Sequence, residues 1–346
     1  MPPQNPRARP PTRPPGGPPP GLRRRRRPGR KLRMILIVLL LLVVGLTVYV
    51  DRSLSRVDAL ADYPDRVANT PGTNWLIVGS DSRAGLTPED AAALATGDEA
   101  GASGQRTDTI MLLHIPAFGS GGASTLVSLP RDSSVPVPGQ GRLKLNTAYS
   151  IGGAPLLMQT VETVTGVHLD HYAEIGFGGF AGIVDDIGGV ELCPAEPIDD
   201  PLAGLNIPAG CQELDGPQAL GYVRTRQTPR GDLDRVVRQR EFVGALVAKT
   251  TSPSVLLNPF RIIPLAAGAP EAVTVDNGDH VWHLARLGWT MRSLSGGDAV
   301  TTTVPIGGFG EVGNGSSAVL WDRDRAVQMF EALAQDRPIP QEALGP

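Results

Sequence analysis

The chain has 346 residues, 41% of them hydrophobic, and a formal net charge of −3; it can bury a sizeable core, which excludes fibrous, collagenous and wholly disordered classes. The small net charge hides a division, because residues 1–33 hold eleven of the 32 Lys+Arg and no acid, leaving the rest at −14. Cys193 and Cys211 are the only cysteines and have no CxxC or Cys/His cluster at metal spacing, so a structural zinc site is not expected.

Residues 1–33 also hold eleven prolines, the composition of a disordered basic tail drawn to anionic headgroups. The tail has no aromatic residue to stack on bases, so nucleic acid is not an expected partner. Residues 34–50 (MILIVLLLLVVGLTVYV) carry no charge and reach the lower length limit of a transmembrane helix. Arg23 to Arg27, Arg30, Lys31 and Arg33 lie directly before them, which a buried core helix would not tolerate. Ala59-Leu60-Ala61 resembles a leader-cleavage site but sits behind Asp51, Arg52 and Arg56, so an uncleaved single-pass anchor is expected. The positive charge ahead of the span places 1–33 in the cytoplasm and the remainder outside it. Residues 51–73 read as a short stalk.

From Asn74 the pattern is α/β. Strands are expected at 75–78, 109–115, 125–129, 172–175 and 300–304, and helices at 155–164, 180–187, 233–249, 279–294 and 322–335. Such alternation argues for a sheet covered by helices. No Pro/Gly/Ser linker divides it, so 74–336 reads as one domain followed by a tail at 337–346. Gly176-Phe-Gly-Gly-Phe-Ala181 fits a dinucleotide fingerprint; Phe177 and Phe180 flank the glycines and Glu196 lies in a Pro-rich stretch, so a nicotinamide cofactor is not expected. His168/His171 and His280/His283 are i, i+3 pairs without neighbouring ligands and read as solvated or capping residues. Cys193 and Cys211 flank a Pro/Asp-rich loop with little apolar content, and outside the cytoplasm a disulfide between them is expected.

The chemistry lies at element ends. NWLIVGSDSR is an apolar strand breaking into Asp81 and Arg83, Arg106 and Asp108 lead into the next strand, and SLPRD places Arg131 and Asp132 after a third. A fourth cluster holds Arg224, Arg226, Asp232, Asp234, Arg235, Arg238 and Gln239. Arg235, Arg238 and Gln239 share one helix face, while Arg224 and Arg226 alternate out of an extended segment. Planar guanidinium groups suit phosphate oxygens, and the other reading is a solvated ion-pair network with Asp232, Asp234 and Glu241. Asp81 and Asp108 are candidates to hold Mg²⁺ (or Mn²⁺), so a diphosphate gripped by arginines and one metal is expected.

These stretches, with RTDTIMLL, KLNTAYSIGG, YAEIGFGGFAGIVDDIGGVEL, AGCQELDGPQALGYVRTR and GDLDRVVRQR, resemble the LytR-CpsA-Psr family over about 74–252. The resemblance implies a central mixed β-sheet flanked by helices on both faces and one N-terminal transmembrane helix. It implies a membrane-bound, Mg-dependent phosphotransferase that moves a glycopolymer of teichoic-acid, arabinogalactan or capsule type from a polyprenyl-diphosphate carrier to peptidoglycan, releasing polyprenyl phosphate. Asp81 and Asp108 match the metal acids, and Arg106, Arg131, Arg224, Arg226, Arg235, Arg238 and Gln239 match diphosphate-binding positions, with Arg83 beside them. Lys144, Asn146 and Tyr149 line the site. Asp81 and Asp232 are both candidates for the base, and Arg131 for stabilising the developing charge. Where the family usually has Asp-x-Gly-Arg this chain has Asp232-Leu-Asp234-Arg235, which sets a carboxylate beside a phosphate-binding arginine. The lipid would need an apolar slot, with Phe177, Phe180, Val255, Leu256, Leu257, Phe260, Ile262 and Ile263 as candidate walls. A polyprenyl-diphosphate-glycan hydrolase and a non-catalytic wall-glycan binder or regulator are the alternative classes.

Overall fold

The computed structural model describes residues 28–83, 86–96, 107–120, 122–225, 232–295, 299–313 and 315–345. The chain divides into two compact units, 1–46 and 47–346. The first contains most of the helix Pro28–Ser53. Its stretch Arg33–Ser53 has a mean hydropathy of 2.7 and is the one helix among the described residues long and apolar enough to cross a membrane.

The second unit is built on a seven-stranded mixed sheet. Its spatial order is Ser55–Val57, Val273–Asp276, His171–Ile175, Thr73–Ser80, Thr107–Ile115, Thr125–Ser128, Val300–Thr303. Thr73–Ser80 runs antiparallel to Thr107–Ile115 and parallel to His171–Ile175. The central strands are apolar throughout because both sheet faces are covered. Leu76, Val78, Ile110 and Leu112 pack with residues of the helices Leu145–Thr165 and Arg323–Ala334. The alternate positions Trp75, Met111 and Leu113 pack with Val243, Val247, Leu284, Leu287 and Met291 of the helices Asp232–Thr250 and Val281–Ser295. Strand periodicity of two thus sends successive side chains into different helical layers, and each buried leucine or isoleucine contributes about 2 kcal/mol.

All five expected strands and all five expected helices are present, with shifted ends. The expected stalk is different. Ser55–Val57 pairs in parallel with Val273–Asp276 at the sheet edge, and the Ala59 and Leu60 amides donate to Asp276 Oδ1 at 3.0 and 2.9 Å. Arg66 then donates from Nε and Nη2 to the two carboxylate oxygens of Glu162, both at 3.1 Å, and the Tyr63 hydroxyl donates to the same carboxylate at 2.7 Å. Residues 51–73 therefore belong to the globular unit, held by carboxylates remote in sequence.

A third core cluster lies beside the sheet, formed by the helices Phe177–Asp186 and Gly216–Arg224 and two small antiparallel pairs. Val190–Leu192 pairs with Gln212–Leu214, and Ile198–Asp200 with Leu205–Ile207. A disulfide joins Cys193 to Cys211 across the first pair. The loop it closes is not poor in apolar contacts as expected, since Ile198, Ala203, Leu205 and Ile207 are buried in its hairpin. The glycine-rich opening of Phe177–Asp186 has a packing reason: a Cβ on Gly179 would lie 2.4 Å from the Ala272 carbonyl oxygen, so only glycine admits the helix Pro259–Ala272 at that distance.

Candidate active site

The site forms at the sheet rim where Thr73–Ser80 ends and Thr107–Ile115 begins. Gly79 pairs with Thr109 and Ser80 with Thr107, so Asp108 is the extra residue of a β-bulge. Bulges re-aim side chains at sheet rims, and this one sets Asp108 beside Asp81, the first residue past the neighbouring strand. Arg131, after Thr125–Ser128, reaches Asp108 with Nη1 and Asp132 with Nε at 3.4 Å. Asp132 also takes Lys144 Nζ at 3.2 Å, and the Asn146 amide donates to the Arg131 carbonyl at 3.0 Å. The expected site residues of 131–146 are therefore linked to one another.

Arg224 comes from a helix of the third core cluster. It is the last residue of the helix Gly216–Arg224, not part of an extended segment; the missed signal is the capping box in which the Asp215 carboxylate accepts from the Gln218 amide. Arg224 donates to the Leu94 and Ala95 carbonyls at 3.0 and 3.2 Å, and its guanidinium carbon lies 4.8 Å from the Phe177 ring centroid. Arg83 donates to the neighbouring Thr96 carbonyl. Burial holds the Arg224 pKa below the usual arginine value; the charge of Asp108 opposes this, Arg83 adds to it, and Asp200 and Asp81 oppose it. Asp81, Arg83, Asp108 and Arg224 thus share one electrostatic neighbourhood.

The remaining arginine face lies against the same helix end. Arg235, Arg238 and Gln239 are buried. Arg238 Nη2 donates to the Thr225 carbonyl at 2.6 Å and Gln239 Nε2 to the Val223 carbonyl at 3.3 Å. Burial also depresses the Arg238 pKa, and Tyr222, Asp234, Glu241 and Asp200 act against it. Arg106 and Arg226 lie outside the described residues, as does the side chain of Asp232.

Three participants escaped sequence reasoning. Buried Glu174 accepts from the Tyr149 and Tyr172 hydroxyls, each at 2.7 Å, and Tyr149 also interacts with Ser80 and Asp81. Burial first, then Glu174 and the charge of Asp81, raise the Tyr149 pKa, and the Ser80 hydrogen bond opposes them. Buried Asp200 accepts from the Thr225 hydroxyl at 2.7 Å and acts on both Arg224 and Arg238. Tyr172 and Glu174 both lie in the stretch YAEIGFGGFAGIVDDIGGVEL, but strand position alone did not reveal their contact or that of Tyr149.

The oxygen donors of Asp81 and Asp108, on adjacent strand ends beside arginines, suit a hard cation that takes one or two carboxylates and fills its shell with water and phosphate oxygens. The residues present therefore fit Mg²⁺. The expected lipid walls do not gather into one slot: Phe177, Phe180 and Val255 belong to a packed cluster, while Leu257, Phe260 and Ile263 are exposed. A groove of about 470 Å³ opens elsewhere, lined by Leu86, Leu94, Ala181, Ile183, Gly178 and Gly179 among others. It shares Leu94 with the Arg224 contact.

The LytR_cpsA_psr family model matches residues 51–335. A probable cell wall biosynthesis protein LcpB of Corynebacterium glutamicum is 56% identical over 288 residues, 83% of this chain and 67% of the relative. A polyisoprenyl-teichoic acid–peptidoglycan teichoic acid transferase TagU of Enterococcus faecalis is 36% identical over 170 residues, 49% of this chain and 55% of that protein. Among solved structures, a LytR-Csp2A-Psr enzyme from Actinomyces oris superposes with a TM-score of 0.62 at 24% identity, over 81% of this chain and 96% of that one. TagV of Bacillus subtilis gives 0.60 at 22% identity, over 78% and 99%. With the mixed sheet and the matched span in agreement, the chain belongs to the LytR-CpsA-Psr family.

Proposed function

We propose that the chain is a membrane-anchored phosphotransferase that moves a glycopolymer from a polyprenyl-diphosphate carrier to peptidoglycan and releases polyprenyl phosphate. The observation that carries this reading is the meeting of Arg83, Arg131 and Arg224 with Asp81 and Asp108 at one sheet rim. In this reading Arg83, Arg131, Arg224, Arg235, Arg238 and Gln239, together with Arg106 and Arg226, grip the diphosphate oxygens and offset charge as the bond to the leaving phosphate breaks. Asp81 and Asp108 would hold Mg²⁺, which supplies further neutralisation of phosphate charge. Lys144, Asn146 and Tyr149 border the space for the acceptor. Its hydroxyl proton passes to the carboxylate of Asp81 or Asp232, and the groove beside Leu94 receives the first part of the lipid chain. Teichoic acid is the polymer named for the TagU relative; here the polymer is of teichoic-acid, arabinogalactan or capsule type. The basic tail lies in the cytoplasm, residues 34–50 span the membrane, and the globular unit works outside.

The test incubates the full chain in detergent with a polyprenyl-diphosphate oligosaccharide and peptidoglycan, with and without Mg²⁺. Polymer linked to peptidoglycan, dependent on Mg²⁺ and lost in Asp81→Asn, is the expected result. Release of free polymer would make the chain a hydrolase, and absence of turnover with bound glycan would make it a binder. A reporter fused after Pro346 should be active only outside the cytoplasm; cytoplasmic activity reverses the topology.

A further inference from the structure

A second group of ligating side chains stands away from the arginine site. His171 opens the strand His171–Ile175 and pairs with Trp75, whereas Gly79, two positions before Asp81, pairs with Ile175. Four strand residues separate the two levels, about 13 Å along the sheet. At the His171 level the turn before Val281–Ser295 brings in Asp279, and the first turn of that helix brings in His283. One ligating atom from each of the three residues lies within 4.8 Å of the others. We propose that His171, Asp279 and His283 form a binding site for a divalent transition-metal ion of the zinc type.

The donor set and its surroundings support this. Two imidazoles and one carboxylate are a common zinc triad, which leaves a further position for water. Ligand bonds of about 2.0–2.2 Å in tetrahedral geometry set ligand atoms about 3.3 Å apart, and His283 Nδ1 lies 3.3 Å from Asp279 Oδ1. His171 Nδ1 meets the same carboxylate oxygen, and the two imidazole centroids are 4.6 Å apart. An outer layer holds the triad in place: the Tyr172 amide donates to Asp279 Oδ2 at 3.0 Å, which turns Oδ1 toward the imidazoles, and the Trp75 ring packs 4.3 Å from His171. Such outer partners orient metal ligands. The Asp279 side chain is 2% exposed, but those of His171 and His283 are 17% and 29% exposed, so the carboxylate is buried while the imidazole side opens to solvent.

Neighbouring charge does not oppose a cation. Arg56 donates to the Asp279 carbonyl at 3.4 Å, but its charge is paired with Asp51 at 3.2 Å, and Asp51 also meets His280 Nδ1 at 3.1 Å. In the structure the His280 amide donates to His283 Nδ1 at 3.2 Å. That bond requires the neutral imidazole, the form a metal takes, and an ion bound at Nδ1 displaces it. The three ligands come from a sheet strand, a turn and a helix, so an ion here would fasten the start of Val281–Ser295 to the sheet.

The full chain, carrying a histidine-free tag and stripped of metal with a chelator in detergent, is titrated with Zn²⁺ alone by calorimetry. Visible absorption is recorded with Co²⁺ in its place. One equivalent of Zn²⁺, a higher melting temperature on binding, and the spectrum of a nitrogen/oxygen-ligated four-coordinate Co²⁺ are expected. His283→Ala, on a partly exposed helical turn, should lose the binding while melting like the metal-free wild type. Asp81→Asn should retain it. His171→Ala should also lose it, and if that variant does not fold, His283→Ala and the Co²⁺ spectrum decide. No binding by the wild type, binding that survives His283→Ala, or binding that disappears in Asp81→Asn would overturn the assignment.

Discussion

Replacing Arg224 by lysine separates two roles that the structure assigns to one side chain. The guanidinium spans two carbonyls, Leu94 at 3.0 Å and Ala95 at 3.2 Å, and lies 4.8 Å from the Phe177 ring centroid. A lysine ammonium has its donors on one atom and keeps at most one of those carbonyls well aligned. Losing one charge-assisted hydrogen bond costs about 1.5–3 kcal/mol, and weakening the ring contact adds about 0.5 kcal/mol, so Arg224→Lys should destabilise the fold by about 2–3.5 kcal/mol. For a unit of this size that lowers the melting temperature by about 5 °C. If the same group grips the diphosphate, transfer at a temperature well below either melt should fall about tenfold to a hundredfold, the equivalent of one lost charge-assisted contact in the transition state. Melting followed by circular dichroism and transfer followed with the lipid-linked oligosaccharide are both needed. An unchanged melt would refute the latching role of the two carbonyls, and unchanged transfer in a folded variant would remove Arg224 from the phosphate site.

Arg131→Lys should behave differently, because Arg131 meets two carboxylates at the rim rather than backbone: transfer drops while the melt moves by less than about 1 kcal/mol, and equal loss of both would contradict this. Glu162→Gln should cost about 3 kcal/mol in chemical denaturation, since it removes the buried partner of part-buried Arg66 and leaves it only the exposed Asp62 as charge partner; a loss below 1 kcal/mol would show that the Glu162 contact is dispensable. Burial lowers the His114 pKa below its ordinary 6.5, against the pull of Asp336 and Asp170, and the ring nitrogens contact Asn74 at 2.8 Å and Asp336 at 3.1 Å. The unfolded chain therefore binds the proton more readily, so stability is fully present above 6.5 and declines as pH falls toward the lowered folded value. Denaturation midpoints between pH 7.5 and 5 should show this slope, and His114→Gln should flatten it. Unreduced protein should show no alkylatable thiol by mass spectrometry, and Cys193→Ser with Cys211→Ser should cost about 3 kcal/mol; two free thiols would refute the bridge.

What the sequence disclosed depended on how local the cause was. The strands around Trp75 and Met111 were legible because burial on both faces makes them continuous apolar runs. Ser55–Val57 was not, because three residues with an arginine at the centre carry no pattern and pair only because Val273–Asp276 stands beside them. Asp81, Arg83, Arg131 and Arg224 could be named from strand ends and motifs, but their mutual placement came from tertiary structure. Glu174 reads as one acid in an apolar strand until Tyr149 and Tyr172 close on it. His171 and His283 were set aside because His171 lies 108 positions from Asp279 in the chain, and only the fold brings it to the carboxylate that His283 shares.

The one-residue bulge at Asp108 acts as a phase shift in the chain. Downstream of it, Ile110 to Leu113 must alternate between two helical layers, and a slip of one position would exchange every side chain between them. Upstream, the rim answers to the spacing of charged groups around a ligand. Placing the irregularity at the boundary lets each stretch keep its own periodicity, so the polar rim can change chemistry while the apolar strand keeps its register.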